Sequence, residues 1–308
     1  MVRGLSRLGS RLRLSEGFVG LLTALGADAP ELSSAVIAVI AGSRAVGVGV
    51  VLGSNLFNLA ALLGLAALLS GHLALHRSAL LLDGGVGVIA LLLAGVLIAG
   101  WLPGAAVAAL LVMVFAAYAA ALALKPATLE RLAVPRALRA AVVQSSGHLP
   151  SASDLPQPKR ASYVVPLLPV WIAAVVLGSL GLVHSALDFA ALWHVPQAIT
   201  GGLVLAVLTS LPNAYAAVHL GRRGRGTAVM SEAMNSNTLN LLGGLVLPAA
   251  ILGGAGIGGG VGPTYLWLAG LTVLVLALCA RKQMLRRVEA FVVIAVYLGF
   301  VVFLLRSA

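Results

Sequence analysis

Apolar stretches recur along almost the whole chain, separated by short segments that hold most of the charged side chains. A helix of about 20 residues crosses a hydrocarbon core of about 30 Å, so each stretch predicts a transmembrane helix. The pattern predicts an all-α integral membrane protein with the first span broken at Pro30 and the sixth at Pro212. It gives about nine transmembrane helices, at 17–42, 45–70, 78–100, 104–125, 163–187, 195–220, 227–252, 262–280 and 288–306.

The composition agrees with a fold surrounded by lipid. Hydrophobic residues make up 60% of the 308 residues and charged residues 9%, whereas soluble domains carry about 25% charged residues. The net charge is +11, but the basic residues lie between the apolar stretches and are not interleaved with aromatic residues as on a nucleic-acid surface. We therefore expect the lipid bilayer, and no nucleic acid, as a partner.

The basic residues also predict the orientation, because Lys and Arg are concentrated on the cytoplasmic side of membrane proteins. With the N-terminus in the cytoplasm, only Arg44 and Arg306 of the 20 Lys and Arg residues fall on the outer side. The chain is therefore predicted to be a multi-pass protein of the plasma (inner) membrane with a cytoplasmic N-terminus.

A long polar segment, 126–162, interrupts the apolar pattern and contains several prolines. In the predicted orientation it is a cytoplasmic linker between a first half of the membrane domain, 1–125, and a second half, 163–308. Its part 129–143 fits either a basic amphipathic helix on the lipid surface or a flexible connection.

The two halves contain an internal repeat at a separation of 182 residues. Polar residues are costly in a membrane, so their recurrence in register is informative. In the predicted orientation the two copies cross the membrane in opposite directions, and inverted repeats with broken helices are typical of secondary transporters, whose ion sites lie at the repeat interface. The informative aligned pairs are Pro30 with Pro212, Ser54 with Ser236, Asn55 with Asn237, and Asn58 with Asn240.

The first repeat contains two carboxylates around its proline. Asp28 and Glu31 are three residues apart, so both can lie on one face of a helical turn. Pro30 cannot donate a backbone hydrogen bond and therefore frees carbonyl groups nearby. An ionised carboxylate inside a membrane needs a cation, a proton or a partner, which makes this pair a candidate functional site.

Hydroxyl and amide side chains surround the pair in the repeat pattern. They come from the segments 53–58, 209–213 and 235–240, which contain no His or Cys. Such oxygen ligands suit Ca²⁺ or Na⁺ better than zinc or copper. The alternative is that Ser and Asn only join helices by hydrogen bonds. For Asp83 and Glu232 we expect a structural or interfacial role.

Residues 26–64 and 208–246 resemble the two alpha-repeats of the sodium/calcium exchanger superfamily, which carry a G-T-S-x-P-E and a G-S-N-x-x-N segment. The separation of 27 residues from Glu31 to Asn58 recurs from Asn213 to Asn240, as in the family pattern. The resemblance implies a transporter and not an enzyme. It would exchange a hard cation, Ca²⁺ above all, for Na⁺ or H⁺ by movement of peripheral spans. These ions would be transported cargo and not cofactors.

The resemblance also implies a set of cation-binding residues, which are Asp28, Glu31, Ser54 and Asn58 in the first repeat and Thr209, Ser210, Asn213, Ser236 and Asn240 in the second. Asn213 and Asn240 stand where the family has Glu and often Asp, and Asp28 stands where a hydroxyl residue is usual. Losing these carboxylates weakens Ca²⁺ binding, and Asp28 restores part of the lost negative charge. Two carboxylates as close as Asp28 and Glu31 tend to share a proton. A monovalent cation or proton transporter, a channel and a non-transporting relative are therefore alternatives. The family also has a span before the first repeat, so the sequence predicts a truncated or shortened chain.

Overall fold

A computed structural model describes residues 21, 24–123, 142, 167–252 and 261–307. The predicted linker 126–162 lies outside the described residues except for Val142. The first predicted span, 17–42, is described from residue 24 onward, apart from Leu21.

The described part of the chain is almost entirely helical. Two three-residue strands, β1 (His72–Ala74) and β2 (Met284–Arg286), pair antiparallel and are a small exception to the predicted all-α fold. The helices are α1 Ala29–Ile40, α2 Arg44–Ser70, α3 Arg77–Ile98, α4 Gly104–Ala123, α5 Leu168–Trp193, α6 Gln197–Arg222, α7 226–252, α8 Val261–Lys282 and α9 Arg287–Ser307.

Seven of these helices are long and apolar enough to cross a membrane, counted over the described residues. They are α2 to α6, α8 and α9, and each overlaps one predicted span. The two other predicted spans overlap α1, which has 12 residues, and α7, which is rich in buried polar residues over its first half. A membrane protein with many spanning helices is therefore confirmed, while the number nine stays a prediction.

The helices differ in how far protein surrounds them. In the most apolar stretch of α2, 89% of the residues are buried inside the protein, whereas in that of α5 only 11% are. Large apolar side chains such as Trp171, Ile172 and Leu177 point outward from α5. Because exposed apolar surface of this extent is stable only in lipid, α2 is the centre of the bundle and α5 is at its periphery.

Of the two helix breaks predicted from the sequence, the structure has one. Asp28 forms a bend after a helical turn at 24–27, and Pro30 lies in the first turn of α1. The predicted break at Pro212 is wrong, because α6 continues through this residue. Proline removes a single N–H, and membrane helices tolerate that loss where a nearby turn can adjust. In α6 a π-helical turn, Thr200–Leu205, lies shortly before Pro212.

Two further π-helical turns occupy matching positions in the two repeats. One covers Leu59–Leu65 of α2, directly after Asn58, and the other covers Asn240–Val246 of α7. Shifted by the repeat separation, the two ranges differ by one residue at each end. Such wide turns often mark functional sites because they displace the side chains that follow.

Candidate cation site

The bend at Asp28 points both carboxylates of the first repeat into the bundle. Asp28 and Glu31 are each 1% exposed. Glu31 Oε1 accepts a hydrogen bond from Ser210 Oγ of α6 at 2.6 Å. Asp28 Oδ1 accepts one from Ser236 Oγ of α7 at 2.7 Å. The carboxylates of one predicted repeat are thus held by hydroxyl groups of the other.

Asn213 of α6 joins the two carboxylates. Its Nδ2 donates to Asp28 Oδ1 at 2.9 Å and lies 3.5 and 3.4 Å from Glu31 Oε1 and Oε2. A primary amide has two N–H protons, so it can serve both carboxylates without adding charge. The residue that stands in place of a family carboxylate therefore stabilises the two carboxylates that are present.

Asn58 extends this network from α2, because its Nδ2 donates to Ser236 Oγ at 2.9 Å. Six of the nine predicted site residues are therefore connected by side-chain hydrogen bonds, namely Asp28, Glu31, Asn58, Ser210, Asn213 and Ser236.

The other three predicted residues are buried but bond elsewhere. Ser54 Oγ lies 3.5 Å from the carbonyl of Ala206, and Thr209 Oγ1 donates to the carbonyl of Leu205 at 2.9 Å. Asn240 Nδ2 donates to Asn55 Oδ1 at 3.1 Å. For these three, the hydrogen bonds of the described chain fit helix packing. The role of all nine residues in binding a cation stays a prediction.

A reciprocal pair of asparagines crosses the centre of the bundle. Asn55 Nδ2 donates to the carbonyl of Asn237 at 3.1 Å, and Asn237 Nδ2 donates to the carbonyl of Asn55 at 3.3 Å. The two residues are aligned by the repeat. These two bonds join α2 to α7, as the packing interpretation of the polar residues expects.

Several buried oxygen atoms around the network have no hydrogen-bond donor among the described residues. They are Asp28 Oδ2, Asn58 Oδ1, Asn237 Oδ1, Asn240 Oδ1 and Glu232 Oε2. Buried acceptors without a donor are costly, and each needs an explanation. All five are hard oxygen atoms, which a cation such as Ca²⁺ or Na⁺ can satisfy.

Glu232 is the carboxylate that the sequence interpretation placed apart from the site. It is 9% exposed, lies four residues before Ser236 on α7, and interacts electrostatically with Asp28. The spacing of four residues puts Glu232 and Ser236 on one helix face, which is the signal that could have found it. Over the described residues, no three His, Cys, Asp or Glu side chains form a metal cluster. A cation here would therefore need neutral oxygen ligands in addition to the carboxylates of Asp28 and Glu31.

Spanning helices packed around buried carboxylates and neutral oxygen donors are typical of membrane proteins that bind ions within the bilayer. Residues 1–124 and 164–306 match the sequence model of the Sodium/calcium exchanger protein family. The chain belongs to this family, as the resemblance of its repeats predicted.

Individual relatives agree with this assignment. The sodium/calcium exchanger MaX1 of Methanosarcina acetivorans is 32% identical over 84 residues, which are 26% of this chain and 24% of that protein. The match thus spans about a quarter of this relative.

Solved structures resemble the whole described fold. The crystal structure of the H⁺/Ca²⁺ exchanger CAX aligns with a TM-score of 0.69 and 14% identity, over 98% of this chain and 77% of that one. The structure of native YfkE aligns with a TM-score of 0.63 and 16% identity, over 98% and 88%. The sodium-calcium exchanger NCX_Mj, soaked with 2.5 mM Na⁺ and 0.1 mM Sr²⁺, aligns with a TM-score of 0.62 and 18% identity, over 98% and 91%. At these identities the likeness establishes the fold.

Proposed function

We propose that this protein is a secondary active transporter that exchanges a hard cation, Ca²⁺ above all, for Na⁺ or H⁺ across the membrane by alternating access. The observation that carries the proposal is the buried pair Asp28 and Glu31, bonded by Ser210 and Asn213 of α6 and Ser236 of α7. Exchange of Ca²⁺ is named for the structural relatives CAX and NCX_Mj, which support this choice of cargo.

The charge of the pair favours this class of cargo. With both carboxylates ionised the pair carries two negative charges, and their hydrogen-bond partners in the described chain are neutral. Uncompensated charge is very costly in a membrane interior. One Ca²⁺ or two monovalent cations or protons would neutralise the pair, so the same two carboxylates can carry either cargo of an exchange.

The proposal includes nine spans in two inverted halves, with α1 and α7 also crossing the membrane. Its support is the reciprocal bond between Asn55 and Asn237 and the paired π-helical turns of α2 and α7. The cytoplasmic side is proposed to be that of the N-terminus and of the segment 126–162, on the distribution of Lys and Arg.

Alternating access requires a part that moves against the site, and α5 is the candidate. Helix α5 packs against α1, and the side-chain hydrogen bond between them in the described chain is a long one, from Ser179 Oγ to the carbonyl of Pro30 at 3.4 Å. Little of its apolar stretch is buried. A peripheral helix that the rest of the bundle encloses this little can shift against the core more readily than α2 can.

The test is Ca²⁺ uptake into proteoliposomes that hold an outward Na⁺ or H⁺ gradient. We compare the parent protein with Glu31→Gln and Asp28→Ser. Thr272→Val is the matched control, because Thr272 is buried and bonds only within its own helix, to Leu268. Gradient-dependent uptake that both site variants abolish and the control keeps supports exchange. No gradient-dependent flux of Ca²⁺, Na⁺ or K⁺ in the parent would overturn it.

A second candidate is a degenerate relative that acts as a monovalent cation or proton transporter, a channel or a non-transporting membrane protein. The observation that favours it is the presence of neutral amides at two buried residues, Asn213, which contacts both carboxylates, and Asn240. Cation flux that persists without a counter-ion on the opposite side would identify a channel. Strict dependence on the counter-ion would exclude one.

A further inference from the structure

A second buried carboxylate lies outside the predicted cation site. Asp83 of α3 is 1% exposed. Its Oδ1 lies 2.9 Å from the hydroxyl of Tyr118 on α4, and its Oδ2 accepts a short hydrogen bond from Ser231 Oγ on α7. The Tyr118 hydroxyl also lies 2.9 Å from Asn235 Oδ1 of α7. We call these four residues the Asp83 cluster.

The hydrogen bonds of the Asp83 cluster depend on whether Asp83 carries a proton. A phenol has one proton, so Tyr118 can donate to Asp83 or to Asn235 but not to both. If Asp83 is protonated, it donates to Tyr118, which then donates to Asn235 Oδ1. If Asp83 is ionised, Tyr118 donates to Asp83. The amide of Asn235 must then flip so that its Nδ2 donates to the Tyr118 oxygen. Two complete arrangements therefore differ by one proton.

The orientation of the Asn235 amide is coupled to the proton on Asp83. Its Oδ1 faces Tyr118, while its Nδ2 is buried without a partner among the described residues. Which end of an amide faces a neighbour is inferred from its hydrogen bonds. With Oδ1 facing the phenol, the chain of donors is complete only if Asp83 holds a proton.

The described residues that contact Asp83 supply no compensating positive charge. Helices α3 and α7 approach closely at Gly87, where a Cβ atom would lie 3.6 Å from Met234 Sδ. A proton is thus the simplest ligand for Asp83. The titratable and charged side chains on the helices packed against it are Tyr118 on α4, Glu232 on α7, and Tyr265, Cys279, Arg281 and Lys282 on α8, with Arg77 at the start of its own helix. The three basic residues are in end turns, and Tyr265 donates to the carbonyl of Leu91.

Helix α7 connects the Asp83 cluster to the cation site. Ser231 and Asn235 lie on the side that faces Asp83, and Ser236, the next residue along the chain, donates to Asp28. Asn235 aligns with Gly53 in the repeat, so this link exists only in the second copy. A change in the hydrogen bonds of Asn235 acts one residue from a group that holds the cation pair.

We propose that the Asp83 cluster is a second, proton-binding site, separate from the cation pair, whose occupancy changes cation binding through α7. Proton binding at Asp83 does not depend on the proposed cation exchange. The effect of that proton on the cation pair does rest on the proposed exchange. An ionised Asp83 adds negative charge inside the bundle and favours a cation, so loss of its proton strengthens cation binding.

The test of the proton site is infrared spectroscopy of the purified, cation-free protein from about pH 5 to about pH 9, following the C=O band of protonated carboxyl groups. We expect Asp83→Asn to remove one carboxyl band that the parent shows. Tyr118→Phe keeps the carboxyl group but removes its relay, so we expect the band to remain and its titration to shift. If Asp83→Asn fails to fold, Tyr118→Phe still decides. An unchanged titration in Tyr118→Phe, or no band lost in Asp83→Asn, overturns the proposal.

The link to the cation pair is tested by measuring Ca²⁺ binding to the same proteins at both ends of this pH range. Asp83→Asn mimics the protonated state, so we expect several-fold weaker Ca²⁺ binding than the parent at high pH and little difference at low pH. An equal pH dependence in both proteins refutes the link. If neither the parent nor the variants bind Ca²⁺ while the Asp83 band of the parent still titrates, the proposed exchange fails and the proton site stands.

Discussion

The most informative single substitution is Asn213→Asp, which restores a carboxylate at the position where the family carries one. Asp has the shape of Asn, so the new oxygen takes the place of Nδ2, 2.9 Å from Asp28 Oδ1. The substitution removes a hydrogen bond to a carboxylate, a loss of about 2 kcal/mol. It also sets two negative charges in contact, which costs about 6 kcal/mol at an effective dielectric constant of about 20.

Proton uptake by one of the three carboxylates relieves most of this repulsion, so the cation-free variant should be destabilised by about 2 kcal/mol. Ca²⁺ should reverse the loss, because its affinity rises with the number of charged ligands. A tenfold gain in affinity adds about 1.4 kcal/mol to the stabilisation by saturating Ca²⁺. The assay is unfolding of the purified protein in detergent, with a chelator and with Ca²⁺.

Asn213→Ala is the control, because it removes the same donor and adds no charge. We expect it to be destabilised in the chelator and to gain no more stability from Ca²⁺ than the parent protein does. If Asn213→Asp is as stable as the parent in the chelator, and gains no more from Ca²⁺ than Asn213→Ala, then residue 213 does not face a cation and the assignment of the site is refuted.

Three further substitutions test the surroundings of the pair. Glu232→Gln should weaken Ca²⁺ binding in a direct binding assay, because it removes negative charge near the pair. Unfolding in a chelator should be nearly unchanged, because no hydrogen bond of the network is lost. A Ca²⁺ affinity equal to that of the parent would contradict this prediction. Ser210→Ala should destabilise the cation-free protein by about 2 kcal/mol through loss of its bond to Glu31, and an unchanged unfolding midpoint would count against it. Gly53→Ala should cost about 3 kcal/mol, because its Cβ would collide with the backbone of α6, whereas Gly178→Ala has open space and should be tolerated; similar stability of both would be the contrary result.

The sequence predicted the spanning helices well because the membrane imposes one length and one composition on them. All seven long apolar helices coincide with predicted spans. Proline was a weaker guide. Pro30 lies at a break and Pro212 does not, although the repeat aligns them. Whether a proline interrupts a membrane helix depends on neighbouring turns and side chains, which a single sequence does not display.

The carboxylate site was predictable to the extent that the repeat fixed its partners. The repeat alignment pairs Ser54 with Ser236 and Asn58 with Asn240, and so it identified both Asn58 and Ser236 as site residues. In the structure Asn58 donates to Ser236, which donates to Asp28. Asn240 bonds to Asn55 instead, since a π-helical turn begins there and α2 packs against it. Such turns follow from tertiary packing, so no periodicity in the sequence announces them.

The Asp83 cluster had no comparable signal. Asp83 and Tyr118 are 35 residues apart, and Tyr118 and Asn235 are 117 apart, with no repeat to relate them. Only the packing of α3, α4 and α7 brings them together. A lone carboxylate in an apolar span is therefore a sufficient reason to search for a function there, even when the sequence offers no partner.

The distribution of charge separates this chain from the pattern that its repeats resemble. Two family carboxylate positions carry Asn, while Asp28 and Glu232 place charge on the bend before α1 and in the first half of α7. Asn213 now holds Asp28 and Glu31 together by donating hydrogen bonds, which a carboxylate could not do. The number of charges near the site is thus retained while their position moves toward the first repeat and α7. Cation affinity should accordingly depend more on Asp28 and Glu232 than on the residue at 213, and the substitutions above measure each contribution separately.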